Sequence, residues 1–241
     1  MKIGIVITMY DEHDLVLQTV KEVKQHSPEA KVVLVHSDNN KETDSLKELR
    51  KITEYLLLPD MSEEINKLQT TNPVIIRNFN AGFSKLYDLS EDCDLIVGLT
   101  GDTLITDASS FARRHTDMIS NNFVAMVSQA VGQKFHAQAE NGSIIKEGRY
   151  QLNSTTDFAC CLFFLDGPWS TKNKLFTNIE TTNLWTNEQC MGDELKKFLN
   201  NTLFYKAVGR LNWLYPQLAY SYNDGVLYHA KHNGIPAGRN K

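Results

Sequence analysis

Short apolar runs, each followed by polar residues, recur along the first half of the chain and predict the strands of an α/β fold. The first run is Lys2–Thr8 and the second is Lys31–Val35, with an amphipathic helix predicted between them over His13–His26. A third run, Leu95–Leu99, is too short for a buried helix, and its β-branched residues favour a strand covered on both faces. Strand, helix and strand with polar residues at the strand ends is the beginning of a parallel α/β sheet.

Weaker patterns predict the remaining elements. The predicted helices are Thr43–Leu49, Met61–Leu68, Ala81–Leu89, Thr106–Ser120 and Asp193–Leu199, and the predicted strands are Tyr55–Leu58, Phe123–Ala130, Asp157–Leu165 and Val226–Tyr228. Asp107 has the residue type of a helix N-cap. The cluster Arg113, Arg114 and His115 is expected to lie on a solvated helix face.

Composition narrows the functional classes. The chain has 241 residues, 41% of them hydrophobic, which fits one sizeable domain or one domain with an appended subdomain. Its formal net charge is −4 without a basic stripe, so general nucleic-acid binding is not expected. No apolar run is long enough to cross a bilayer, and the N-terminus does not have the pattern of a signal peptide. Four cysteines without CxxC spacing indicate neither zinc nor disulfides, so we expect reduced thiols and a cytoplasmic location.

A polar turn follows the third apolar run, at Thr100, Gly101 and Asp102. Glycine permits a sharp turn, which leaves Asp102 at the carboxyl end of a buried strand. Ligands bind at this end of the strands in open α/β sheets. A carboxylate there suits the binding of a cation or a hydroxyl; a helix cap or a turn residue is the alternative for Asp102 taken alone.

The segment from Asn78 to Ile105 resembles the GT-A glycosyltransferases. That family shows a helix containing Asn and Gly, matched here by Asn80-Ala81-Gly82-Phe83, then a hydrophobic strand and an Asp-any-Asp motif. This chain matches the second Asp of the motif with Asp102 and has Thr100 at the first. The resemblance implies a three-layer α/β/α sandwich with a mostly parallel central sheet. It also implies one domain over 1–241, with a nucleotide-sugar half (1–105) and an acceptor half with a closing segment (106–241).

The resemblance also assigns residues to the donor nucleotide sugar. These are Thr8, Tyr10, Glu12, Asp38, Asn80, Lys85, Thr100, Gly101 and Asp102. A tyrosine can stack on a base, and a carboxylate can accept hydrogen bonds from a ribose or a base. Asp38 would equally form an Asx turn with Asn39. Arg77 or Lys85 would offset diphosphate charge, with a solvated surface role as the alternative for either.

Two further assignments concern catalysis and the metal. Asp193 and Glu194 are similar to the acidic pair at a helix start in inverting GT-A enzymes, where one carboxylate is the base; the alternative for Asp193 is an N-cap. A late histidine binds the metal in many members, and His229 fits best, with His232 as second choice and ordinary packing as the alternative. Asp102 and His229 would hold Mn²⁺ or Mg²⁺.

The resemblance therefore predicts a metal-dependent glycosyltransferase. The donor is expected to be a nucleotide-diphosphate sugar, UDP-linked, and the acceptor a hydroxyl of a glycan, a protein or a small molecule. Lys231 and Arg239 would lie near the diphosphate. A sugar nucleotidyltransferase is disfavoured because residues 8–12 form an acidic loop without glycine. A binding protein with little or no activity stays an alternative because Thr100 replaces the first Asp.

Overall fold

The computed structural model describes most of the first 129 residues and separate segments after them. The described ranges are 1–37, 41–63, 72–89, 92–105, 107–120, 124–129, 149–151, 158–180, 187–198, 204–207, 211–215, 219–222, 226–228, 231–232 and 235–236. The helices are α1 (His13–His26), α2 (Asp44–Ile52), α3 (Asn72–Leu89), α4 (Ser110–Ser120), α5 (Gly167–Lys172) and α6 (Asn187–Lys197). Within the described ranges, every helix is too short or too polar to span a lipid bilayer.

The strands of the described ranges form one large sheet and two small ones. They are β1 (Ile3–Met9), β2 (Lys31–Ser37), β3 (Glu54–Leu58), β4 (Leu95–Thr100), β5 (Leu104–Ile105), β6 (Ala125–Gln129), β7 (Arg149–Gln151), β8 (Phe158–Asp166), β9 (Phe204–Ala207), β10 (Leu211–Tyr215), β11 (Ala219–Tyr222), β12 (Val226–Tyr228), β13 (Lys231–His232) and β14 (Ile235–Pro236). The large sheet has the order β3-β2-β1-β4-β8-β6-β9-β7. The small sheets have the orders β10-β11-β12-β5 and β13-β14.

The predicted fold class is confirmed. Strands β3, β2, β1 and β4 are parallel neighbours, and the antiparallel β8 separates them from β6 and β9. The central sheet is therefore mostly parallel. Every residue of β1 and β4 is buried, as expected for strands that are covered on both faces.

Aromatic side chains of β8 fix one helix on each face of the sheet. Phe163 packs against Phe79 and Phe83 of α3, with ring centroids 5.6 and 6.0 Å away. Its neighbour Phe164 packs against Phe111 of α4 at 5.5 Å. Because successive strand residues point to opposite faces, α3 and α4 lie on opposite sides, which gives the three layers that were predicted.

The bounds of α1 agree with the prediction, whereas α3 begins at Asn72 instead of Ala81. Pro73 is compatible with the first helical turn, where its missing N–H is not needed. Val74, Phe79 and Phe83 are buried and share one face of the longer helix. The predicted start is too late because the burial of this longer face depends on contacts with the sheet, which the local sequence pattern does not show.

Two further predictions about helices are wrong. Helix α6 begins at Asn187, so Asp193 lies inside the helix and is not its N-cap. On α4, Arg114 is only 1% exposed, although it was expected on a solvated face together with its neighbours Arg113 and His115. A run of polar residues on a predicted helix does not reveal which of them faces the sheet.

A buried histidine joins the amino ends of α1 and α2. His13 is 3% exposed, and its Nδ1 lies 2.9 Å from Oγ1 of Thr43, the N-cap residue of α2. Its Nε2 is buried without a hydrogen-bond partner. Burial lowers the pKa of His13 below the ordinary value of 6.5, and the nearby carboxylates of Asp11 and Glu12 oppose that shift.

We expect Gly98→Ala to destabilise the protein by about 1–3 kcal/mol, the usual cost of overpacking a core. An added Cβ would lie 2.1 Å from Cζ of Phe163, across the β4–β8 pair. Urea unfolding measures the loss. The controls are Phe163→Leu alone and the double variant Phe163→Leu/Gly98→Ala. The double variant should lose less free energy of unfolding than the two single variants lose together, because Leu leaves room for the methyl group. Unchanged stability of Gly98→Ala would contradict this packing.

We expect the pH dependence of unfolding to depend on His13. Below pH 6.5 the unfolded chain protonates this histidine while the folded protein resists the proton, so the free energy of unfolding falls as the pH falls. His13→Gln should therefore lose less stability between pH 7 and pH 5 than the natural protein. Urea titrations across this range compare the two with His26→Gln, an exposed control. Parallel pH profiles for all three proteins would refute the role of His13.

Candidate functional site

Residues predicted to bind the donor meet where β1 and β4 end. Thr8 pairs with Thr100 in the parallel register, and the next residue, Gly101, donates its N–H to the carbonyl of Thr8 at 2.7 Å. A Cβ at Gly101 would lie 3.0 Å from Oε2 of Glu12 and 3.1 Å from the Thr8 carbonyl oxygen. The absence of a side chain at Gly101 therefore lets the two loops touch.

A tight turn holds Asp102 at this edge of the sheet. The N–H of Thr103 donates to the carbonyl of Thr100 at 3.0 Å, which closes the turn. Within it, the Thr100 hydroxyl donates a hydrogen bond to Oδ1 of Asp102. Thr100 is buried and Asp102 is half-buried. The hydroxyl that replaces the first Asp of the expected motif thus fixes the orientation of the second.

The loop between β1 and α1, which lies next to this turn, carries a partly exposed aromatic side chain. Tyr10 is 39% exposed, and its hydroxyl lies 3.2 Å from Oγ of Ser62. Asp11, in the same loop, accepts a hydrogen bond from Lys41 Nζ at 2.7 Å. That contact raises the pKa of Lys41 above its ordinary value. The loop is therefore tied to chain segments that follow β2 and β3.

Of the two candidate cations on α3, Arg77 is at the carboxyl edge and Lys85 is not. The Arg77 guanidinium donates to Oγ of Ser37, the last residue of β2, at 3.1 Å. The helix then runs toward the amino ends of the strands, because Leu86 packs where a Cβ on Gly4 would lie. Eight residues of helix separate Lys85 from Arg77, about 12 Å at 1.5 Å per residue.

Asn80 uses its side chain to hold another part of the chain. Its Nδ2 donates to the carbonyl of Ile179 at 2.9 Å, and its Oδ1 accepts from the N–H of Ile179 at 2.9 Å. Tyr87, two turns further along α3, donates to the carbonyl of Leu175 at 3.1 Å. These contacts give Asn80 a structural role in fastening the segment after α5 to α3.

The acidic pair predicted for catalysis lies on α6, which packs against β8 and α3. Asp193 is half-buried, and Glu194 is 8% exposed. Lys197 donates to Oε2 of Glu194 at 2.7 Å, which raises the pKa of the lysine. One of the two carboxylates is therefore engaged in an ion pair one turn along its own helix.

A strand from the tail of the chain lies next to the turn of Asp102. In the antiparallel pair of β12 and β5, Val226 is opposite Ile105 and Leu227 is opposite Leu104. Following this register, β12 runs toward Thr103 as it ends at Tyr228. Sequence analysis had predicted the strand but not its partner, which lies more than 100 residues earlier.

Several predicted site residues lie outside what the structure describes. Asp38, His229 and Arg239 fall in undescribed ranges. For Lys231 and His232 the structure describes the β13 backbone, paired with β14, and not the side chains. The assignments of these residues stay predictions.

A separate set of side chains could hold a divalent metal ion. Ligand atoms of Glu22, His26 and Asp107 all lie within 4.8 Å of one another. In the structure these side chains make contacts within the protein. Oε1 of Glu22 accepts a hydrogen bond from the N–H of Ala108 at 3.0 Å and lies 3.1 Å from Nε2 of His26. Asp107 accepts a hydrogen bond from the N–H of Ser109 at 3.0 Å. The Ser109 hydroxyl also donates to Oδ1 of Asp107, and this hydrogen bond is the main reason why the pKa of Asp107 is lowered. The spacing of Glu22 and His26, four apart on α1, was the available sequence signal.

No protein-family model and no curated protein matches the chain. Among the solved structures to which it is similar is a mannosyltransferase from Pyrobaculum calidifontis in complex with GDP-Man and Mn²⁺. The two chains are 10% identical, with a TM-score of 0.41, and the match covers 71% of this chain and 46% of the mannosyltransferase. Galactosyltransferase LgtC is 15% identical, with a TM-score of 0.42 over 80% of this chain and 70% of that one. A cytidylyltransferase from Leptospira borgpetersenii is 16% identical, with a TM-score of 0.46 over 87% and 77%.

The chain spans less than half the length of the mannosyltransferase. These similarities are too distant to transfer the activity, donor or metal of any of the three proteins to this chain.

Proposed function

We propose that the protein is a glycosyltransferase that moves a sugar from a nucleotide-diphosphate sugar, UDP-linked, to an acceptor hydroxyl with the help of a divalent cation. The observation that carries the proposal is the meeting of Thr8, Gly101 and Asp102 at the carboxyl ends of β1 and β4. Ligands of open α/β sheets bind at such an edge. The resemblance of the Asn78–Ile105 segment to GT-A enzymes supplies the reaction class.

The side chains at this edge suit a hard cation and a diphosphate. Asp102 offers a half-buried carboxylate that the Thr100 hydroxyl orients, and oxygen ligands are those preferred by Mg²⁺ and Mn²⁺. When bound, such an ion supplies Lewis-acid stabilisation of the charge on the departing diphosphate. In the proposal Asp102 binds the ion, together with His229 from the chain that follows β12.

The other groups bind the donor and handle the proton. Arg77 neutralises phosphate charge, because its guanidinium is tethered at the end of β2. The exposed ring of Tyr10 stacks on the base, with Asp38 as the acceptor of base or ribose hydrogen bonds. If the reaction inverts the anomeric centre, Asp193 or Glu194 removes the proton of the attacking hydroxyl; a retaining reaction needs no such base.

Calorimetric titration of UDP and GDP, with and without Mn²⁺, followed by assays of donor hydrolysis, tests the proposal. Metal-dependent diphosphate binding together with slow donor hydrolysis supports it. Binding without turnover would favour a binding protein, the alternative that Thr100 motivates. A preference for nucleoside triphosphates would indicate a nucleotidyltransferase, and no binding of any of these ligands would overturn the proposal.

We expect Asp102→Asn to abolish Mn²⁺-dependent UDP binding and to leave the fold intact. The amide oxygen can still accept from Thr100, so only the charge at the site is lost. Calorimetry measures the affinity, and circular dichroism verifies the fold. The control is Asp107→Asn, which removes a carboxylate from the other potential metal cluster. If that control loses the Mn²⁺ dependence and Asp102→Asn keeps it, Asp102 does not belong to the metal site.

We expect Arg77→Gln to weaken UDP binding about tenfold to hundredfold, since a hydrogen bond to a charged group contributes about 1.5–3 kcal/mol. Lys85→Gln is the matched control. It removes a positive charge from the same helix near the opposite edge of the sheet, so the affinity should stay within about threefold of the natural value. An equal loss in both variants would indicate a general charge effect and contradict a direct contact by Arg77.

A further inference from the structure

The carboxylate of Glu12 folds back onto its own loop. Its Oε2 accepts hydrogen bonds from the N–H groups of Tyr10 and Asp11, both at 3.1 Å. Glu12 occupies the N-cap position of α1, yet its side chain makes no hydrogen bond to the helix. Glu12 contacts the helix through its backbone, because its carbonyl accepts a hydrogen bond from the N–H of Val16 at 3.0 Å. The carboxylate therefore stabilises the loop and not the helix.

The same oxygen atom lies next to the turn that carries Asp102. A Cβ added to Gly101 would lie only 3.0 Å from Oε2 of Glu12. Gly101 is in turn hydrogen-bonded to the carbonyl of Thr8, at the start of the loop. Glu12 thus lies between the loop and the turn. Because Oε2 already accepts two amide hydrogen bonds, a ligand could donate to that oxygen only by displacing one of them.

The other side of the Tyr10 backbone is held by a buried histidine. The carbonyl of Tyr10 lies 2.9 Å from Nε2 of His36, which must carry the proton because a carbonyl only accepts. Nδ1 of the same ring lies 2.5 Å from the hydroxyl of Tyr55. Glu12 holds the N–H of Tyr10 and His36 holds its carbonyl, while the ring of Tyr10 stays partly exposed.

We propose that Glu12 is a positioning residue. Through the N–H groups of Tyr10 and Asp11 it fixes the backbone that carries the Tyr10 ring, next to the Gly101 turn, in the arrangement that receives the ligand, and it does not contact the ligand itself. This differs from the sequence expectation, in which Glu12 touched the nucleotide. The role of the positioned groups rests on the proposed function, whereas the contacts of Glu12 can be tested without it.

The test compares Glu12→Gln with Glu12→Ala, because glutamine keeps an oxygen that can accept from both N–H groups and removes only the charge. Hydrogen exchange of the Tyr10 and Asp11 amides is followed by NMR, and UDP affinity with Mn²⁺ is measured by calorimetry. Glu12→Gln should keep both amides protected and bind UDP within about threefold of the natural protein. Glu12→Ala should raise the exchange rate of these two amides at least tenfold and weaken UDP binding at least tenfold. Glu29→Gln, at an exposed position, is the control for the loss of one negative charge.

Two results would overturn the proposal. In the first, Glu12→Gln loses affinity as severely as Glu12→Ala while its amides stay protected, which means that the charge acts on the ligand directly. In the second, Glu12→Ala leaves both exchange and affinity unchanged. If the natural protein binds no diphosphate, the proposed function fails by itself. The exchange rates then decide the role of Glu12. Amides of Tyr10 and Asp11 that stay protected in Glu12→Gln and lose protection in Glu12→Ala support the contact of the Glu12 side chain with this loop, and any other pattern refutes it.

Discussion

The parallel pairing of β1 with β4 is the constraint on which the candidate site depends. The register that places Thr8 beside Thr100 continues past both strands through the hydrogen bond from Gly101 to Thr8. Two loops that are about 90 residues apart in the chain therefore leave the sheet side by side. Glycine at 101 permits the contact, because any larger residue would separate the turn from Glu12. The position of Asp102 is thus a consequence of backbone pairing in the core.

The direction of α3 decides which basic residue can serve the site. Asn78 donates to Oγ of Ser37 at the end of β2, and Leu86 packs beside Gly4 near the start of β1, so the helix runs along the strands and not across them. Arg77 then lies beside the end of β2, and Lys85 lies two turns toward the other edge. The sequence presents both residues as cations that would offset diphosphate charge, with Arg77 before the predicted helix and Lys85 within it. Only the packing of that helix on the sheet distinguishes them.

Sequence analysis predicted the features that local periodicity determines. The bounds of α1, the buried strands β1 and β4, and the polar turn after β4 follow from residue patterns within one element. The start of α3 and the burial of Arg114 were missed because they depend on contacts with the sheet. The contacts of His36 with Tyr10 and of Asn80 with Ile179 join residues 26 and 99 positions apart. Such pairs leave no periodic signal in the sequence.

In the proposed function, Thr100 changes the chemistry of the turn and does not only remove a metal ligand. Two adjacent carboxylates would repel each other, and one would bind a proton more readily. A hydroxyl instead donates a hydrogen bond to Oδ1 of Asp102, and a hydrogen bond to a charged acceptor is stronger than one between neutral groups. A site with one carboxylate carries less negative charge, and Mg²⁺-type ions are commonly held by one or two carboxylates together with substrate phosphates. In the proposed function, the ion and the diphosphate therefore depend on each other for binding. The pairing of β12 with β5 brings a late segment of the chain next to the same turn. In the proposed function, a residue from this part of the chain would be a further ligand of the metal ion.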